Sequence, residues 1–212
     1  MNELLSFGIL CFTTFITIIN PLSTLPVFLT MTNSLDDAQR KQVAVKAVIT
    51  AFIALVLFAF TGQFIFDFFN ITANGFRVAG GILFFMMGYD MLNARITRIK
   101  ISKAEVKEYT TDISITPLGI PMICGPGAIT NAILMMGESK TVSQKGVLIA
   151  TMLIVCLIML VTLYGGARLI KLMGQTTMKV LMRIMGLILM VIAVEFFFAG
   201  LKPIVQDILQ IQ

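Results

Sequence analysis

The chain has 212 residues, of which 58% are apolar and 13% charged, and its mean hydropathy is +0.95. A soluble domain carries about twice that charged fraction, so the composition excludes one and points to a membrane protein. Lys and Arg outnumber Asp and Glu by 16 to 11 and histidine is absent, which removes the commonest metal ligand, the Ser-His and Cys-His nucleophile pairs and an imidazole proton relay.

Between Glu3 and Asp36 there is no charged residue, a run long enough to cross ~30 Å of hydrocarbon at ~1.5 Å per residue. It opens on an acidic residue and is followed by no small-residue cleavage site, so it reads as a retained helix 1 rather than a secretory signal. At its centre stands INPLSTLP, residues 19–26. Pro21 and Pro26 have no N–H, which leaves the carbonyls of Thr17 and Leu22 without helical partners. The uncharged run 47–66 is helix 2, and helix 3, about 75–94, carries Arg77 near its start and Asp90 near its end. The stretch of about 95–112 is charged and reads as a linker. Helix 4 is the run 113–137, with PLGIPMICGPGAIT at 117–130 and a break at Pro126; helix 5 is 146–167. Helix 6, about 181–201, contains Arg183 and Glu195 and is followed by Pro203. Cys11, Cys124 and Cys156 fall inside spans, and their odd number argues against a disulfide framework.

With six spans, the loops after helices 1, 3 and 5 share one side and hold twelve of the sixteen basic residues. The positive-inside rule makes that side cytoplasmic and both termini extracytoplasmic. Topology accounts for the basic excess, so the expected partners are a lipid bilayer and no nucleic acid.

The chain is written twice. Asn20-Pro21 and Gly125-Pro126 stand 105 residues apart, Gly62 matches Gly166, Arg77 matches Arg183, Gly80 matches Gly186, and Asp90 and Glu195 are again 105 apart. Three spans per half is an odd number, so the second half enters from the opposite side of the membrane. The expected fold is all-α: a single polytopic membrane domain, 1–212, with six transmembrane helices as two inverted three-helix repeats, about 1–94 and 113–212. Helices 1 and 4 are broken at mid-membrane and face inward, because irregular backbone at that depth is tolerated only inside protein or beside a cavity. Residues at the breaks, Asn20, Pro21, Ser23 and Thr24 with Gly125, Pro126, Gly127 and Thr130, offer hydrogen bonds and room. The N–H groups of residues 22–25 and 127–130 are expected to face the gap, where their partial positive charge suits a carboxylate. These eight residues are the candidate substrate site.

At these motifs the chain resembles the MarC (SnatA-like) family of multipass membrane proteins, of the LysE-type transporter superfamily. INPLSTLP is similar to that family's element in helix 1, PLGIPMICGPGAIT to its element in helix 4, and RVAGGIL with RIMGLIL to its paired segments in helices 3 and 6. The resemblance implies a bacterial or archaeal cytoplasmic (inner) membrane protein that binds substrate where helices 1 and 4 are broken. Small neutral amino acids such as glycine and alanine are the substrates it implies. Glu195 departs from it, since relatives often have Gln there.

Arg77, Asp90, Arg183 and Glu195 are the gating or ion-coupling candidates, with H+ or Na+ as the ion; interface anchoring and snorkelling are the competing roles. No metal, cofactor or catalytic residue is expected. An intramembrane aspartyl protease would need a second motif beside Gly88-Tyr89-Asp90, and none is present. A thiol electron carrier would need a cysteine beside each break, but the repeat equivalent of Cys124 is Ile19. The expectation is a secondary transporter that exports or exchanges small zwitterions, with a passive channel or a structural membrane subunit as the alternatives.

Overall fold

A backbone in hydrocarbon has to satisfy its own N–H and C=O groups, so the uncharged runs fold as helices. The computed structural model describes residues 2–32, 35–93, 106–172 and 175–209. Its helices are α1 (Asn2–Ile19), α2 (Pro21–Met31), α3 (Asp37–Phe69), α4 (Ala73–Leu92), α5 (Val106–Ile113), α6 (Pro126–Glu138), α7 (Val142–Leu172) and α8 (Gln175–Leu209). An irregular, wide-turned segment, Ser114–Ile123, joins α5 towards α6, and no strand occurs among the described residues.

Four stretches, Glu3–Leu29, Asp37–Phe69, Val142–Gly166 and Arg183–Leu209, are long and apolar enough to cross a membrane. The pair Thr110–Ile123 and Pro126–Glu138, bent by 59°, makes a fifth if it is one span. The remaining expected span is α4, a regular helix of 20 residues; with Arg77 and Asp90 inside it, it falls outside that set. Arg95, Arg98, Lys100 and Lys103 of the expected linker lie outside the described residues.

Helix ends follow local chemistry. α3 starts at Asp37, well before residue 47, because Asp36 and Gln39 form a capping box: Gln39 N–H donates to Asp36 Oδ1 at 2.8 Å and Asp36 N–H to Gln39 Oε1 at 3.1 Å. The start of α7 is built the same way by Thr141 and Gln144, whose reciprocal bonds are both 3.2 Å. Each member of the second box stands 105 residues after its counterpart in the first. Arg40, only 6% exposed, fastens the end of α2 to α3. Its Nη2 donates to the carbonyls of Thr32 at 3.1 Å and Leu35 at 3.0 Å, and its Nη1 to Asp37 at 3.1 Å. α8 does not stop before Pro203, as the sequence suggests, but runs through it to Leu209.

The buried core joins α1 and α2 (Phe15, Phe28), α3 (Leu55), the irregular segment (Leu118, Ile123) and α7 (Met152, Met159, Leu163). Cys11, Cys124 and Cys156 are buried, free thiols within it. α4 and α8 lie against one another along their lengths, antiparallel and very close. A β-carbon placed on Gly88 would stand 2.8 Å from the Gly186 carbonyl oxygen, and one on Gly200 would stand 2.6 Å from that of Asn74. Gly81 and Gly88 on one helix, and Gly186, Ala193 and Gly200 on the other, recur every seven residues. Without a hydrophobic drive between helices in lipid, such small residues let backbones approach and gain dispersion contact. The outer sides of the pair expose Phe85, Met86, Val191 and Phe198.

Candidate functional site

The first break is a single residue. Asn20 has φ +42°, a left-handed conformation that Asn adopts more readily than other non-glycine residues. Its N–H closes α1 on the Ile16 carbonyl at 3.1 Å, and its own carbonyl accepts from Ser23 N–H at 3.0 Å and Thr24 N–H at 3.4 Å. Ser23 N–H also reaches Asn20 Oδ1 at 3.3 Å. Asn20 thus ends one helix and caps the next, and the Ser23 and Thr24 N–H groups, expected free, are taken by it.

The second break is longer and begins earlier than the sequence suggests. Thr116 and Ile120 both have φ −131° and ψ 124°, and each precedes a cis proline. A residue before proline is pushed from helical to extended backbone by the proline Cδ, so Pro117 and Pro121 unwind this segment. Cys124 N–H returns to the Gly119 carbonyl at 2.8 Å. Pro126 does not break a helix; it is the first residue of α6, where a missing N–H costs nothing. Ile129 N–H is bonded to the Gly125 carbonyl at 2.9 Å, while Gly127 and Ala128 N–H groups make no backbone bond among the described residues.

Between the two breaks and the α4–α8 pair lies a cavity of about 310 Å³. One wall is polar and comes from α1 and α2: Thr17, Asn20, Ser23 and Thr24. Ile18, Ile19, Phe84, Met87, Met122, Leu189, Ile192 and Phe196 form the rest, with Gly127 between them. Among the described residues, no charged one lines it.

Of the eight residues expected at the site, Asn20, Ser23, Thr24 and Gly127 line the cavity. The other four are buried and do not line it. A β-carbon on Gly80 would stand 2.3 Å from Pro126, and one on Gly125 would stand 2.6 Å from Phe84, so Gly125 and Pro126 seat the break against α4. Thr130 is fully buried, and neither its hydroxyl nor Asn131 Nδ2 has a hydrogen-bond partner among the described residues. Pro21 starts α2. Glycine at 127 keeps the cavity open, since a β-carbon there would stand 3.1 Å from Ile18 and 3.2 Å from Phe196. None of the four candidate gating or coupling charges joins the site: Arg77 is half-buried, Asp90, Arg183 and Glu195 are exposed, and none lines the cavity.

Several of the lining residues that the sequence reading missed are related by the same repeat offset as the breaks. Thr17 and Met122, Phe84 and Leu189, and Met87 and Ile192 are each 105 apart, the offset already visible at Asn20 and Gly125. Given either member of a pair, that offset finds the other.

An all-helical chain with several long apolar spans, enclosing an uncharged cavity at a helix break, is a multi-pass integral membrane protein. A model of the MarC family of integral membrane proteins matches residues 5–205, and the chain belongs to that family. It is 37% identical over 202 residues to a UPF0056 membrane protein of Pyrococcus horikoshii, covering 95% of this chain and 98% of the relative. It is 39% identical over 201 residues to the UPF0056 membrane protein YvbG of Bacillus subtilis, covering 93% and 95%. A UPF0056 membrane protein of Methanocaldococcus jannaschii is 35% identical over 200 residues, covering 93% and 97%. No solved structure gives a significant match.

Proposed function

We propose that this chain is a secondary transporter that exports or exchanges small neutral amino acids, the glycine and alanine type, by alternating access. The observation that carries the reading is the cavity where the helix breaks meet, with hydrogen-bonding groups on one wall and no formal charge. A zwitterion carries opposite charges that fixed dipoles solvate well: Asn20 Oδ1 and the Thr17, Ser23 and Thr24 hydroxyls suit its ammonium, and the free N–H groups at the start of α6 suit its carboxylate.

The working fold in this proposal has six spans in two inverted repeats. Its support is the capping-box pair and the lining pairs at one offset, together with the α4–α8 contacts. Shifting the Gly81–Ala193 contact by 105 residues gives Gly186–Gly88, which is also a contact. In this proposal the chain resides in the cytoplasmic membrane with both termini outside, and Arg77, Asp90, Arg183 and Glu195 act on gating or H+ or Na+ coupling from beyond the cavity. The partner is a zwitterion, with no cofactor and no catalysis.

The test is purified protein in liposomes with labelled glycine, alanine and other neutral amino acids, with and without proton and sodium gradients. Saturable flux with counter-exchange is expected. Flux that rises linearly with concentration indicates a channel, and the absence of competable flux for every amino acid overturns the proposal.

A further inference from the structure

Thr130 and Asn131 are the only polar side chains of α6 before Glu138, and neither lines the cavity. Thr130 is fully buried, and its hydroxyl and Asn131 Nδ2 have no hydrogen-bond partner among the described residues. Polar side chains of membrane helices usually bond across to a neighbouring helix and hold it. These two hold none, and a buried donor without an acceptor costs free energy for as long as it stays so. The repeat does not require them either, since their equivalents 105 residues earlier are Leu25 and Pro26.

Their position indicates the ligand. Residues three and four apart share a helix face, so Thr130 and Asn131 follow Gly127 on the face that it turns to the cavity, up to ~6 Å further along α6. The N–H groups of Gly127 and Ala128, which make no backbone bond among the described residues, thus lead on to two more donors. α6 runs from the break towards the start of α7, and that end of α7 lies beside the start of α1, because a β-carbon on Gly8 would stand 3.2 Å from Val147. On α1, one turn back from the Ile18 that meets Gly127, half-buried Thr14 donates to the Leu10 carbonyl at 2.7 Å and keeps its oxygen lone pairs to accept. Polar groups therefore continue past the cavity on the side that the transport reading places outside the cytoplasm.

We propose that Thr130 and Asn131 form a second station for the carboxylate of a neutral amino acid, between the central cavity and the extracytoplasmic face and closed in this structure. The inference rests on the transport reading and names the route by which its site meets the outside. A carboxylate that leaves the N–H groups at the start of α6 takes up the Thr130 O–H and an Asn131 Nδ2–H in their place, and so is never without donors among apolar surroundings.

The experiment measures counter-exchange of labelled glycine and alanine by the full-length protein in liposomes, and its thermal unfolding in detergent with and without them. Thr130→Val, which keeps the shape and removes the hydroxyl, and Asn131→Leu are each expected to slow exchange at least about tenfold, the effect of one lost hydrogen bond to a charged group. Without ligand their unfolding temperatures are expected to stay level or rise, because no protein partner is lost. Half-saturation of ligand stabilisation is expected within about twofold of the parent, since both residues lie outside the cavity. Thr130→Ser, which keeps the hydroxyl, is expected to exchange at the parent rate. Parent-like exchange in both Thr130→Val and Asn131→Leu overturns the inference and leaves the transport reading standing. A fall in unfolding temperature in both makes the two groups structural and overturns it too, as does ligand stabilisation lost in step with exchange, which merges the station with the cavity. No stabilisation or flux with any neutral amino acid in the parent overturns the transport reading and the inference with it.

Discussion

Gly81 on α4 and Ala193 on α8 meet backbone to backbone: a β-carbon on Gly81 would stand 2.9 Å from the Ala193 carbonyl oxygen. Nothing flexible can yield there, because the obstacle is main chain. Gly81→Leu is therefore expected to push the helices apart and destabilise the protein by about 1–3 kcal/mol or more, a fall of roughly 2–4 °C per kcal/mol for a chain of this size. Gly137, with nothing within 4 Å of a β-carbon, is the control; Gly137→Ala is expected to leave the melting temperature unchanged or slightly raised. Thermal unfolding in one detergent checks both.

Asn20 performs a backbone task and a side-chain task, and two substitutions separate them. Asn20→Gly keeps the left-handed conformation and loses Oδ1, so it is expected to fold within about 1 kcal/mol of the parent and to lose amino-acid-dependent stabilisation. Asn20→Leu also imposes a left-handed cost of about 1–2 kcal/mol, so both stability and binding fall. Equal ligand response in Asn20→Gly and the parent would remove the Asn20 side chain from the site.

Gly127→Leu addresses the opposite side of the cavity. Its side chain enters the space between Ile18 and Phe196, so ligand stabilisation is expected to vanish. The unfolding temperature without ligand should fall by a few degrees at most, since the added atoms occupy existing volume. Retained binding would move the site elsewhere.

The two capping boxes lie on separate helices and share no partner. Asp36→Ala and Thr141→Ala are each expected to cost about 1 kcal/mol, and the double variant their sum within about 0.5 kcal/mol. Chemical denaturation of the three variants in mixed micelles measures the additivity.

Arg40→Met removes the guanidinium donor from two carbonyls, that of Leu35 and that of Thr32, which keeps its bond from Leu35 N–H. Hydrogen bonds to a charged group are worth about 1.5–3 kcal/mol, and a loss of that order is expected. Arg40→Lys, with one ammonium for a two-armed fork, is expected to recover only part of it. Unfolding midpoints of the two variants decide the order.

The first break and its capping asparagine were legible because a proline in an apolar run is a local, hard-sphere statement. The second break was legible in existence and not in extent. Reading it as a copy of the first placed it at Pro126, whereas Thr116-Pro117 and Ile120-Pro121 open the chain ten and six residues earlier. The apolar wall was hidden for a different reason. In lipid, residues facing outward and inward are equally apolar, so periodicity does not separate Met87, which lines the cavity, from Met86, which faces out. Glu195 sits within a span by sequence, and in the structure it is exposed and does not line the cavity.

The two breaks differ in build: one is a single capped residue, the other a ten-residue segment of altered backbone. Two halves with breaks of different build do not trade places as identical copies would. Under the transport proposal, a carrier made from them would have a preferred resting orientation even with identical solutions on both sides, its inward and outward fluxes equal there and its apparent affinities different on the two faces.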